Sequence, residues 1–194
     1  MSKVVKVNNF LDDPACNEYI NFMKNNINLF NISDERTAYP KMRYTIRFGY
    51  DDEFPELYYH DLLVANEIKD QLKVLFPKVI NEINKQLKDS DKIYLTSFFL
   101  SKHIPGSFLP PHNDAGDNFN VQLEYAALLY LNSLNDSGYL YFKNIDKRVD
   151  VKAGDLVIFP CKSEEYMHEV PNINADRYSI AMWFTKNKDF SFNV

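Results

Sequence analysis

His112 and Asp114 stand two residues apart in LPPHNDAG, directly behind Pro110 and Pro111, and here residue type and spacing point most plainly to chemistry. Alternate side chains of an extended segment share a face, so an imidazole and a carboxylate at i and i+2 can converge on one point. The two prolines hold the approach extended and forbid a helix. Such a pair supplies two thirds of a metal site, and the third ligand must come from elsewhere in the chain. His168, in MHEV, lies 54 positions after Asp114, past several predicted strands. Two imidazoles and one carboxylate make the facial triad of non-haem Fe(II) centres, which leaves three coordination positions open on one side, two for a chelating cosubstrate and one for dioxygen. Arg177 follows nine positions after His168, at the head of the apolar run RYSIAMWF. A buried arginine with its fixed fork of donors suits the far carboxylate of a dicarboxylate such as 2-oxoglutarate better than a lysine does. Ser179 shares the face of Arg177 on that strand and adds a hydroxyl donor.

These residues need a scaffold, and the hydrophobic pattern predicts one. Val4 to Val7 reads as a short strand, and LDDPACNEYINFMKNN as a helix started by an aspartate before Pro14, with Ile20 and Met23 or Phe22 on its buried side. RYTIRFGY, Arg43 to Tyr50, alternates as a half-buried strand does, and DDEFPELYYHDLL after it reads as a polar and aromatic loop. The clearest helical signal runs from Asn66 to Leu87, with Pro77 expected to split or kink it. After Asp91 the pattern changes to short aromatic and β-branched runs between turn residues: IYLTSFFLS, VQLEYAALLYLN, GYLYF, RVDV, DLVIFP and RYSIAMWFT. Helices first and strands later predict an α+β domain, mainly β, in which helices back one face of a β-sandwich or barrel.

With 194 residues and 45% apolar content, the chain has the size of a single domain with a real core, residues 1–194. Within it, 1–91 are expected to form the helical support and a substrate-side loop, and 92–185 the metal-binding β core. A net charge of −5, with lysines scattered among acids, leaves no footprint for a nucleic-acid backbone. Cys16 and Cys161 are too few and too far apart for a disulfide framework or a cysteine metal knuckle, so a reduced, cytoplasmic protein is expected. No stretch suits a signal peptide or a membrane span.

Taken in order, His112, Asp114, His168, Arg177 and Ser179 resemble the Fe(II)/2-oxoglutarate-dependent oxygenase superfamily, in particular its prolyl 4-hydroxylase-like branch. The resemblance covers roughly Lys92 to Thr185 and includes HIPGSFLPPHND, YLN at Tyr130 to Asn132, AGDLVIFP at Ala153 to Pro160, and MHEV followed by RYSIAMWF. It implies a double-stranded β-helix, a cupin-like jelly roll, with the N-terminal helices packed on the major sheet. It further implies His112, Asp114 and His168 as iron ligands. Arg177 would bind the C5 carboxylate of 2-oxoglutarate, with Tyr130 and Ser179 assisting. The implied activity couples oxidative decarboxylation of 2-oxoglutarate by dioxygen to hydroxylation of an unactivated C–H bond, with succinate and carbon dioxide released.

The chain also departs from that branch. His103 stands where branch members often carry tyrosine, and Ser137 with Gly138 where they carry a Gly-Gly pair. His103 reads as a structural or pocket-wall residue, and it joins Tyr44 as a weak substrate-side candidate. The aromatic segment Tyr39 to Tyr59 is placed where related enzymes cover their substrate, and His60 reads as a loop residue. Asp114 argues against halogenation, because the halogenases of this superfamily carry a small residue there. The segment YSIAMWFTK lacks the second arginine of the nucleic-acid repair branch. A peptidyl proline is the leading substrate, ahead of a free amino acid, another protein side chain or a small metabolite. Two readings compete: a non-catalytic jelly-roll binding module, and a cupin-like metalloprotein without a keto-acid cosubstrate.

Overall fold

The computed structural model describes residues 3–32, 43–49, 62–88, 91–115 and 123–192. Residues 39–42 and 50–59 of the aromatic segment, and His60, lie outside them. Two antiparallel sheets and two helices account for the architecture, as a jelly roll backed by helices requires.

The chain enters on β1 (Val5–Val7) and turns into α1 (Asp13–Asn25), where Asp12 caps the helix by accepting from the Ala15 amide and Pro14 occupies the first turn. β2 (Asn31–Ile32) and β3 (Arg43–Gly49) follow, then α2 (Leu62–Leu87). The remaining strands are β4 (Tyr94–His103), β5 (Leu109–His112), β6 (Tyr125–Tyr130), β7 (Leu140–Phe142), β8 (Lys147–Val149), β9 (Leu156–Pro160), β10 (His168–Val170) and β11 (Arg177–Thr185). The major sheet runs β1-β9-β6-β11-β4-β3-β2 and the minor sheet β5-β10-β7-β8. Both edges of the major sheet therefore come from the first half of the chain.

The expected break at Pro77 is not found: α2 is one helix through it. Proline forfeits one ladder bond, but Phe76 and Val79 on either side of it are buried in the helix-side core and hold both halves of the helix against the same sheet. Among the described residues no helix is long and apolar enough to cross a membrane.

Strand alternation sorts the side chains into two cores. Tyr178, Ile180 and Met182 of β11, Phe98 and Leu100 of β4 and Leu129 of β6 face the helices, where they meet Met23 of α1 and Leu72, Val79 and Ile83 of α2. The other face of the same strands looks into the space between the sheets, where Tyr130, Val157 and Phe159 meet Leu140, Phe142 and Val170 of the minor sheet.

Candidate metal centre

β5 and β10 pair antiparallel with His112 opposite His168, and β10 pairs β7 with His168 opposite Phe142. Residues directly opposite one another in a ladder point to one face, so this register alone brings the two imidazoles together. Their ring centroids are 4.4 Å apart. β5 ends at His112, and the turn that follows carries Asp114 back toward it. Asn113 shapes that turn, accepting from the Ala115 amide and donating to the Ser163 carbonyl at 2.8 Å. One nitrogen from each histidine and one oxygen of Asp114 all lie within 4.8 Å of one another. The sequence named this trio, and the structure brings it together.

Both rings are oriented for ligation. His112 Nδ1 lies 2.8 Å from the Pro110 carbonyl and His168 Nδ1 lies 3.0 Å from the Tyr166 carbonyl. A carbonyl only accepts, so each Nδ1 carries a proton and is occupied there, which leaves Nε2 as the nitrogen each ring can turn to a metal. Such outer partners fix tautomer and ring direction in metal sites. His112 Nε2 faces Asp114 Oδ1 at 3.8 Å. His168 is buried between Phe159, centroid 4.7 Å away, and Phe142, 5.5 Å away. Burial lowers its pKa and the neighbouring His112 lowers it further, against the opposing pull of the Asp114 carboxylate and the Tyr166 carbonyl. The neutral, ligating form is thereby favoured. Cys161, also buried, is pushed well above the ordinary thiol value, first by burial and then by the charge of Asp114, and remains a thiol. The donor set, two imidazole nitrogens and one carboxylate oxygen, fits Fe(II) with an open face.

Across the inter-sheet space, β11 lies between β4 and β6 and sets a second group in register. Arg43, His103 and Arg177 form one row across β3, β4 and β11. Thr45, Ser101, Ser179 and Tyr130 form the next row across β3, β4, β11 and β6. Arg177 is only 3% exposed, yet among the described residues it makes no ion pair with a carboxylate. Its Nη1 lies 3.3 Å from His103 Nδ1 and 3.5 Å from Ser179 Oγ, its Cζ sits 4.8 Å from the centroid of the Tyr130 ring, and its Nε has no partner among the described residues. Among the described residues the Nε2 of His103 is buried without a partner as well, and the buried Tyr130 hydroxyl has no partner beyond the neighbouring Arg177. Burial raises the Tyr130 pKa despite the opposing charge of Arg177, so the phenol keeps its proton and is a donor. Unpaired buried donors cost about 1–3 kcal/mol each, more when charged. A buried guanidinium with an unspent Nε beside the Tyr130 phenol is a receptor for an acceptor-only group such as a carboxylate.

The backbone beneath Arg177 is held by a residue not named as a site residue from the sequence. Asn132 donates from Nδ2 to the Asp176 carbonyl and accepts at Oδ1 from the Tyr178 amide, both at 2.8 Å, so it brackets Arg177 on either side. The only hint in the sequence was its place in YLN. Gly138 lies at φ +69°, and a Cβ there would stand 2.8 Å from Leu134 Cδ1 and 3.1 Å from Arg177 Cδ, so the arginine stem rests where only glycine fits. Ser137 is no defect beside it: its hydroxyl accepts from the Asn174 amide at 2.9 Å and faces the Asn172 carbonyl at 3.4 Å, joining the two loops that flank the arginine.

Tyr44 requires correction as a substrate-side candidate. It pairs with Lys102, not with His103, and packs against the helix-side core, because alternation turns it away from the face that Arg43 and Thr45 share with the cluster.

Residues 98–185 match the family model described as the 2OG-Fe(II) oxygenase superfamily. No curated protein matches the chain in sequence. Three solved structures share the fold over nearly the whole chain. A Pseudomonas putida prolyl-4-hydroxylase is 20% identical with a TM-score of 0.66, covering 96% of this chain and 94% of that one. A Trichoplax adhaerens prolyl hydroxylase, solved with a hypoxia inducible factor oxygen degradation domain peptide fragment, is 20% identical with a TM-score of 0.68, covering 98% and 86%. The viral collagen prolyl hydroxylase of Paramecium Bursaria Chlorella virus-1, solved as its 2-oxoglutarate complex, is 15% identical with a TM-score of 0.64, covering 96% and 97%.

Proposed function

We propose that the chain, whose residues 98–185 match the family model of the 2OG-Fe(II) oxygenase superfamily, is an Fe(II)- and 2-oxoglutarate-dependent dioxygenase that hydroxylates an unactivated C–H bond, with a prolyl residue of a peptide as the leading substrate. The observation that carries the reading is the pairing of two half-sites across one inter-sheet space: a His-Asp-His cluster on the minor-sheet side, and on the major sheet a buried arginine with no carboxylate partner among the described residues.

His112 and His168 would hold the metal through Nε2 while their Nδ1 protons stay on backbone carbonyls, and Asp114 would offset part of its charge. Bound Fe(II), with 2-oxoglutarate and dioxygen, supplies the oxidising power for C–H hydroxylation, and succinate and carbon dioxide leave. Arg177 fixes the far carboxylate of 2-oxoglutarate by charge and by its donor fork, with Tyr130 and Ser179 as further donors. Phe142 and Phe159 form an apolar wall beside His168 and exclude water from that side. The unit is read as one domain over 1–194, because the helix-side core unites side chains of 1–91 with strands of 92–185. A peptide substrate is preferred by likeness of fold to the three prolyl hydroxylases, and a free amino acid or small molecule is the other class to screen.

The test is an anaerobic titration of metal-free protein with Fe(II) and then 2-oxoglutarate, followed by the visible charge-transfer band of a chelated keto acid. A band in the wild type and none in His168→Ala is the expected result, followed by succinate release with a prolyl peptide under air. Metal retention with no band and no succinate would favour a cupin-like or binding role.

A further inference from the structure

We infer that His103 is a positioning residue that holds the tip of Arg177 from β4 and so decides which edge of the guanidinium meets the far carboxylate of the keto acid. The inference rests on the proposed function and adds to that site a side chain that acts only through the arginine. His103 sits directly opposite Arg177 in the β4–β11 ladder, and each is 3% exposed. His103 Nδ1 lies 3.3 Å from Arg177 Nη1. A guanidinium has only donors, so Nδ1 must accept, and an imidazole accepts only while neutral. Burial, reinforced by the charges of Arg177 and of Arg43 on β3, lowers the His103 pKa well below the ordinary value and keeps the ring neutral. The ring proton then resides on Nε2, which points away from the guanidinium and takes no part in holding it.

The arginine is fixed at three levels. Asn132 brackets its backbone, Gly138 leaves room for its stem, and its tip reaches the His103 imidazole and, at 3.5 Å, the Ser179 hydroxyl, both through Nη1. With Nη1 spent on the sheet, Nε is left without a partner among the described residues, and the guanidinium stands over the Tyr130 ring. A phenyl ring at position 103 would fill much the same space without burying two ring nitrogens, which is costly unless they are used. What the imidazole adds is one acceptor, and that acceptor faces Arg177. A guanidinium free to turn about its last bonds would offer its donors in several directions. Holding one nitrogen removes that freedom before the ligand arrives.

The experiment is a double-mutant cycle. Wild type, His103→Phe, His103→Gln, Arg177→Met and the double variant His103→Phe with Arg177→Met are each loaded with Mn(II) without oxygen. Binding of 2-oxoglutarate and of 2-oxobutyrate, which keeps the keto-acid head and lacks the far carboxylate, is measured by calorimetry. His103→Phe is expected to weaken 2-oxoglutarate about three- to tenfold and to leave 2-oxobutyrate within about twofold, while His103→Gln, whose amide oxygen accepts, recovers part of the loss. In the Arg177→Met background, where no guanidinium remains to be held, His103→Phe should change 2-oxoglutarate affinity by less than about twofold. Unchanged 2-oxoglutarate affinity in His103→Phe, an equal fall for both acids, or the same fall with Arg177 already replaced would overturn the assignment. A wild-type protein that binds Mn(II) and neither keto acid would bring down the proposed function itself.

Discussion

Two regions share the strands of the seven-stranded sheet. On the helix side, Phe98 stacks on Phe48 with centroids 4.6 Å apart and meets Phe76 at 4.9 Å, within a large cluster of buried apolar side chains. On the inter-sheet side, at the β3-β4-β11 end, the alternate residues are Arg43, His103, Arg177, Thr45, Ser101 and Ser179, most of them as buried as the phenylalanines. Burial on the first face is repaid by the hydrophobic effect; burial on the second has no such return, and several of its donors lack partners. Where charged and polar groups cluster in a buried space and none of the described residues satisfies them, a ligand is the natural partner.

Removing side chains from each face separates their purposes. Phe98→Ala should cost about 3–5 kcal/mol of stability, as deletion of a fully buried aromatic does, and leave the keto-acid affinity of the folded protein unchanged. Chemical denaturation with a binding assay on the folded fraction reads both, and a change in affinity would show that the two faces are coupled. Arg177→Met should do the reverse. An uncompensated buried charge gives way to a flexible apolar chain of similar reach, so unfolding stability should hold or rise, by up to about 1–4 kcal/mol. Binding of 2-oxoglutarate should meanwhile fall by roughly 10- to 150-fold, the loss of a charged hydrogen bond worth about 1.5–3 kcal/mol. A large fall in melting temperature would mean that the arginine is structural.

The same contrast predicts a pH dependence confined to the polar face. His103 and His168 both have pKa values lowered from the ordinary 6.5, in each case first by burial. The unfolded chain then binds protons that the folded one refuses. Stability of the metal-free protein is fully present above about pH 6.5 and is lost as pH falls toward the folded-state values, by at most about 1.4 kcal/mol per pH unit for each ring. Melting curves between pH 7.5 and 5 check this. His103→Phe should flatten the slope, and an unaltered slope would place the titration elsewhere.

How much of this was legible before the structure follows from the range of the interactions involved. His112 and Asp114 announce themselves by local spacing, and the two cores follow from strand alternation, which is also local. The row Arg43–His103–Arg177 depends on register among three strands far apart in sequence, and no local pattern fixes that. Tyr44 shows the sensitivity: it is one residue from Arg43, and a one-residue difference places it in the helix-side core. Pro77 was read by the right local rule, but tertiary packing on both sides of it outweighs one lost backbone bond.

Asn132 gives the smallest and most discriminating effect. The β6–β11 ladder ends at the pair Ser179–Tyr130, two residues short of Arg177, so strand pairing with β6 does not reach the arginine. The Asn132 side chain extends that pairing by holding the Asp176 carbonyl and the Tyr178 amide, the groups on either side of Arg177. Loss of that bracket leaves the guanidinium present but less well aimed. Asn132→Ala should raise the KM for 2-oxoglutarate by roughly 5- to 10-fold, the equivalent of about 1–1.4 kcal/mol, with kcat and metal affinity held. Asn132→Asp keeps the acceptor for the Tyr178 amide and loses the donor to Asp176, so it should fall between the two. A KM unchanged in both variants would mean that β4, paired with Arg177 through His103, aims the arginine unaided.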